Sequence, residues 1–142
     1  MIKPKAKAAP PPNVVDSSAW LEYLIGGARA ERFAPAIEDS KRLVVPVIVL
    51  YEVFKKVLRE RGEHQALQVA AAMHAGKVVP VDAMLALDAA RYPLPPADSL
   101  IYATAQRLGA TVWTQDEDFK GLPGVQYFAK AVVKSRVKAP RK

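Results

Sequence analysis

Short β-branched runs alternate with helical stretches along most of this chain, and that alternation limits the fold more than any other feature. Residues 13–15, 43–45, 77–81, 111–114 and 125–128 read as strands, each bounded by turn or helix signals. Between them the spacing predicts helices. Ser17 or Ser18 can cap one that runs to Leu24, and Gly26-Gly27 ends it. A second covers 31–40, with Pro35 near its first turn, and Pro46 opens a third over 47–61. Val49, Leu50, Val53, Phe54, Val57 and Leu58 form the apolar stripe of that third helix. Further helices cover 63–75, 82–91 capped by Asp82, and 98–108 ended by Gly109. Strands alternating with helices of this length predict an α/β fold, a three-layer α/β/α arrangement around a central, mostly parallel sheet.

With 142 residues and 51% apolar composition the chain suits one domain. The longest aliphatic run, 43–51, is broken by Pro46 and is half a membrane span. The basic start leads into Ala-Pro rather than an apolar core, so no signal peptide is expected. Absence of cysteine excludes disulfides and thiolate metal sites and fits a cytoplasmic setting. The net charge of +7 is unevenly spread. Residues 1–12 and 129–142 hold 9 basic and no acidic residues, whereas 13–128 holds 12 basic and 14 acidic. A slightly acidic domain over 13–128 is therefore expected between two basic tails. Those tails suit either solubility or contact with a polyanion.

In parallel sheets ligands collect beyond the carboxyl ends of the strands. Asp16 follows the first strand directly, and Asp116 follows the fourth after two residues. Glu52 falls in the first turns of the helix after the second strand. Asp98 falls at a helix start, at the same sheet end if that helix returns antiparallel to the strands. Carboxylates brought together repel one another unless a divalent cation lies between them. Taken singly, each has a plainer use: Asp16 as a turn residue, Asp98 as a helix cap, Glu52 as an i,i+4 partner of Lys56.

Four segments in order, Val14-Val15-Asp16-Ser17-Ser18-Ala19-Trp20, Leu50-Tyr51-Glu52-Val53, Ala97-Asp98-Ser99-Leu100-Ile101-Tyr102-Ala103 and Thr114-Gln115-Asp116-Glu117-Asp118-Phe119, carry a resemblance. Together the segments resemble the PIN-domain ribonucleases, above all the VapC-type toxins of toxin–antitoxin pairs, over about residues 13–128. The resemblance implies a catalytic quartet of Asp16, Glu52, Asp98 and Asp116 that binds Mg²⁺ or Mn²⁺. Asp16 and Asp98 are the expected direct ligands, with Glu52 and Asp116 direct or through water. Thr114 and Asp118 are accessory positions. It further implies an RNA substrate, a cognate antitoxin protein and a homodimer. The proline-dense approach Tyr92-Pro93-Leu94-Pro95-Pro96 and the two tails depart from the family pattern.

An acidic cleft repels RNA unless cations flank it, and Lys55, Lys56, Arg59 and Lys120 are the candidates. Trp20, Trp113 and Tyr102 are aromatic enough to stack bases but sit in segments that favour core packing. His64 and His74 do not share a helix face at ligand spacing and read as ordinary residues. Val53, Val57, Leu67 and Val69 are expected to supply the dimer surface. Three functions remain open at this point: a metal-dependent endoribonuclease toxin, an RNA-processing PIN nuclease without an antitoxin, and a non-catalytic RNA-binding module that works through its tails.

Overall fold

A computed structural model describes residues 9–131. The bulk of both basic tails, 1–8 and 132–142, therefore lies outside the described residues. Five strands form one sheet in the order β3-β2-β1-β4-β5. They are β1 (Asn13–Val15), β2 (Leu43–Pro46), β3 (Lys77–Val79), β4 (Thr111–Thr114) and β5 (Val125–Tyr127). Every pairing is parallel, so the sheet is more uniform than the mostly parallel one expected. Parallel pairing demands crossovers, and six helices supply them. These are α1 (Ser17–Leu24), α2 (Ala30–Ile37), α3 (Val47–Arg61), α4 (Glu63–Met73), α5 (Ala83–Ala89) and α6 (Pro96–Leu108).

Every residue of β1 and β2 is buried, which requires cover on both faces of the sheet. The chain steps outward from β1 through β2 to β3 and then returns past β1 to form β4. With right-handed crossovers, that reversal sends α5 and α6 to the face opposite α1–α4. The reversal also leaves a crevice beyond the carboxyl ends of β1 and β4, where ligands gather in such sheets. The core joins Val14, Val15, Trp20, Phe33, Val45, Ile101 and Phe119, all at most 2% exposed. Close packing fixes Gly76 as well: a Cβ there would lie 2.8 Å from the Leu43 carbonyl oxygen.

Several local expectations need correction. The cap of α1 is Asp16, whose carboxylate accepts from Ala19 N, rather than Ser17 or Ser18. Helix α2 begins at Ala30 and stops at Ile37, so Pro35 lies beyond its first turn. Helix α6 starts at Pro96, which makes Asp98 a first-turn residue and not a cap. Of the α3 stripe only Val49, Val53 and Val57 are buried, and Leu58 is 41% exposed. Val53 and Val57 are thus committed to the core, and Val69 packs against it. They do not form the outward apolar surface expected for a dimer. Leu67 alone of that set is exposed.

Candidate active site

The crevice is built on a buried polar seam. Asp16 sits where β1 hands over to α1 and is 2% exposed. Its Oδ1 accepts from Ala19 N at 3.0 Å and from the Ser18 hydroxyl at 2.9 Å. Its Oδ2 accepts from the Thr114 hydroxyl at 2.7 Å, across to β4. Thr114 is fully buried, and its hydroxyl oxygen also accepts from Asp116 N at 2.9 Å. One hydroxyl therefore fixes both the Asp16 carboxylate and the turn that carries Asp116. Asp116 in turn accepts from Asp118 N at 2.9 Å and caps the 3₁₀ turn Glu117–Phe119.

Above the seam, Asp98, Asp116 and Asp118 each offer an oxygen, and these oxygens lie within 4.8 Å of one another. Asp98 arrives from the first turn of α6, which faces this edge because α6 runs antiparallel to β4. Asp98 and Asp116 also line a hollow of about 360 Å³ with Asp16, Ser17, Glu52 and Lys56. Glu52 reaches it from α3 and accepts from the Ser17 hydroxyl. The four expected carboxylates thus meet at one edge, with Asp118 drawn into the tightest group and Asp16 beneath it.

Electrostatics separate the two layers. Burial pushes the Asp16 carboxyl up to about 6 from an ordinary 3.8, although hydrogen bonds from Thr114, Ala19 and Ser18 oppose the rise. Asp98 goes up to about 7 through burial first, then the charges of Asp116, Asp16 and Asp118. Among the described residues, no Lys or Arg forms an ion pair with any of these carboxylates. Hard oxygen donors crowded together without a compensating cation suit a divalent ion such as Mg²⁺.

Three of the four flanking cations are already engaged. Lys56 lines the hollow but pairs with Glu60 at 2.8 Å, not with Glu52 as the i,i+4 reading had it. Lys55 Nζ lies 5.4 Å from the Tyr51 ring centroid, and Lys120 Nζ lies 5.7 Å from that of Tyr127. Arg59 is exposed farther along α3. Trp20 and Tyr102 are buried, and Trp113 stacks on Phe128 while its Nε1 donates to Asn13. His64 and His74 are exposed on and just after α4, away from the cluster. Two features escaped the sequence reading. Ser17 holds Glu52 instead of capping a helix, and Gln115 is buried beside the cluster with its Oε1 unpartnered. No sequence pattern marks the second, because its burial shows only in the fold.

The family model for the PIN domain matches residues 14–125. A toxin–antitoxin complex from Klebsiella pneumoniae contains a chain of similar fold, with TM-score 0.71 and 21% identity over 83% of this chain and 99% of that one. VapC20 from Mycobacterium tuberculosis, a sarcin–ricin-loop-cleaving toxin, gives TM-score 0.65 and 24% identity over 80% and 96%. DNA-bound VapBC from Salmonella typhimurium gives 0.64 and 18% over 84% and 98%. No curated protein sequence matches the chain.

Proposed function

The chain belongs to the PIN-domain family, and from that premise we propose that it is a divalent-metal-dependent endoribonuclease, the toxin of a toxin–antitoxin pair acting on cytoplasmic RNA. The observation that carries the reading is the group formed by Asp98, Asp116 and Asp118, three carboxylates with no ion-pair partner among the described residues, at the switch point of the sheet. In this reading those three hold Mg²⁺ or Mn²⁺, with Asp16 beneath them and Glu52 at the side. When bound, such an ion supplies Lewis acidity toward a phosphodiester and activates water for in-line attack.

The chain's own groups do the positioning. Thr114 and Ser18 fix the Asp16 carboxylate, and Ser17 turns Glu52 toward the hollow. Lys56 stands in the same hollow, where exchange of Glu60 for a substrate phosphate would place a cation beside the scissile bond. The relatives support the biological half of the proposal: one cleaves the sarcin–ricin loop, and others come from toxin–antitoxin complexes. A cognate antitoxin protein is accordingly part of the reading. A homodimer is too, and the exposed Met84 and Leu87 of α5 are apolar side chains free to serve it.

The test is controlled expression with sequencing of RNA ends, wild type against Asp98→Asn, together with purified protein in Mg²⁺, Mn²⁺ and EDTA. Growth arrest and RNA cleavage should require both the metal and Asp98. Full toxicity in Asp98→Asn would overturn the assignment.

A further inference from the structure

The two basic tails join the domain at opposite edges of the sheet. Residues 9–12 lead into Asn13, which pairs with Leu43 and Thr111, the first residues of β2 and β4. In an all-parallel sheet that is the amino edge, away from the carboxylates. The C-terminal tail follows β5, whose last residue, Tyr127, is level with Thr114, the last of β4. Phe128 N then donates to the Thr114 carbonyl at 2.9 Å, two residues before Asp116. Both tails are basic, but only the second departs from the edge that carries the candidate active site.

The departing chain is held beside that edge. Arg29 Nε donates to the Ala129 carbonyl at 3.0 Å, and the Arg32 guanidinium lies 5.5 Å from the Phe128 ring centroid. Ala129 and Lys130 then line a hollow of about 540 Å³ together with Asp116, Asp118 and Tyr127. Arg32, Lys120 and Lys130 are exposed around this end of β5, and none of them forms an ion pair among the described residues. Residues 132–142, which lie outside the described residues, add Lys134, Arg136, Lys138, Arg141 and Lys142 and no acidic residue. A stretch of that length can reach about 36–40 Å when drawn out, enough to follow several phosphates. Lys134, Arg136 and Lys138 fall at every second position, the period that puts side chains on one side of an extended chain.

Lysine and arginine hold a phosphate backbone by charge and hydrogen bonding, whatever the bases. A rim of carboxylates that must admit a polyanion needs such charge close by, on side chains other than its own. We propose that the C-terminal tail is the substrate arm of the nuclease. Lys134, Arg136 and Lys138, led by Lys130, hold the phosphates of an RNA strand on the β5 side of the cluster, and the N-terminal tail takes no part. The proposal rests on the nuclease reading for its substrate class, and its test separates the two.

Two full-length variants remove the same charge from opposite edges. One combines Lys134→Gln, Arg136→Gln and Lys138→Gln, and the other combines Lys3→Gln, Lys5→Gln and Lys7→Gln. Binding of a short labelled single-stranded RNA of mixed sequence is measured in EDTA by fluorescence anisotropy across a KCl series. Cleavage is then followed in Mg²⁺ or Mn²⁺. The C-terminal variant should bind about tenfold more weakly at low salt, and its slope of log K against log salt should shrink by about 2, roughly 0.7 for each lost phosphate contact. Its KM should rise with kcat little changed, since the arm binds RNA away from the reacting atoms. The N-terminal variant should stay within about twofold of wild type, because salt screens charge at that distance. Equal losses in the two variants, or an unchanged slope in the C-terminal one, overturn the proposal. So does tighter binding or faster cleavage after the C-terminal change, the result expected if the tail covers its own carboxylates instead. Tail-dependent binding without metal-dependent cleavage leaves the arm standing and removes the nuclease reading. Metal-dependent cleavage indifferent to the tail does the reverse.

Discussion

Asp16 and Asp98 lie at the same edge of one sheet and both hold their protons more tightly than an exposed carboxyl, yet they belong to opposite kinds of surroundings. Asp16 is sealed in, and three donors from α1 and β4 meet its two oxygens. Asp98 is half-buried, crowded by Asp116, Asp118 and Asp16, and without an ion-pair partner among the described residues. The lower layer is held by hydrogen bonds, while the upper layer is a concentration of like charge that a cation would relieve. Identical side chains thus divide into a hydrogen-bonded strut and a crowded rim, and the neighbours decide which is which.

The comparison breaks most visibly in activity. Asp98→Asn should lower metal-dependent RNA cleavage by about 10²–10³-fold while the fold survives, measured on purified protein with circular dichroism as control. In EDTA at pH 8 the same variant should melt higher than wild type, because one charge has left the rim. Asp16→Ala should do the opposite. It removes the α1 cap and orphans Thr114, at a cost of about 3 kcal/mol, read as a fall in Tm of roughly 10 °C. If both variants moved Tm in the same direction, the division into strut and rim would be wrong.

Proton linkage sharpens the contrast. Asp16 at about 6 and Asp98 at about 7 both lie above the ordinary 3.8. Their contribution to stability is therefore fully present below about pH 3.8 and is lost as pH rises through 6 to 7. Thermal melts in EDTA should show Tm falling from pH 5 to pH 8, and saturating Mg²⁺ should reduce or reverse that fall. Asp98→Asn should shrink the upper part of the window and leave the Asp16 part. Smaller effects test the connections. Thr114→Val should cost about 1–2 kcal/mol by chemical denaturation, because Asp116 N loses its acceptor along with the Asp16 contact. Ser17→Ala should change stability by no more than about 0.5 kcal/mol and lower cleavage only a few-fold, through looser placement of Glu52.

Where hydrophobic period and turn chemistry agreed, the sequence was legible. The strand 13–15, the helix over 47–61 and its stop at Gly62 appear as read. Helix ends were less so, because Asp16 and not a serine supplies the α1 cap, and Pro35 sits inside α2 on its exposed side. The apolar stripe of α3 was overdrawn for a tertiary reason: its neighbours bury the Val49–Val53–Val57 row and leave Leu58 outside. Carboxylate placement relative to strand ends could be read from spacing. That Lys56 would choose Glu60 over Glu52 could not, since both lie four residues away on the same helix and Ser17 from another element decides the matter. Gln115 carried no pattern at all, and only its burial exposes it.

The pairing of β1 with β4 joins the two ends of the domain, Asn13 with Thr111 and Val15 with Trp113. During synthesis the chain therefore releases Asp16 and Glu52 long before the strand that completes their surroundings. A nascent chain that stops short of residue 111 lacks the Thr114 hydroxyl, Asp116 and Asp118, and with them most of the rim. The carboxylate rim thus comes together only once most of the domain has been made, with β5 the one strand still to follow.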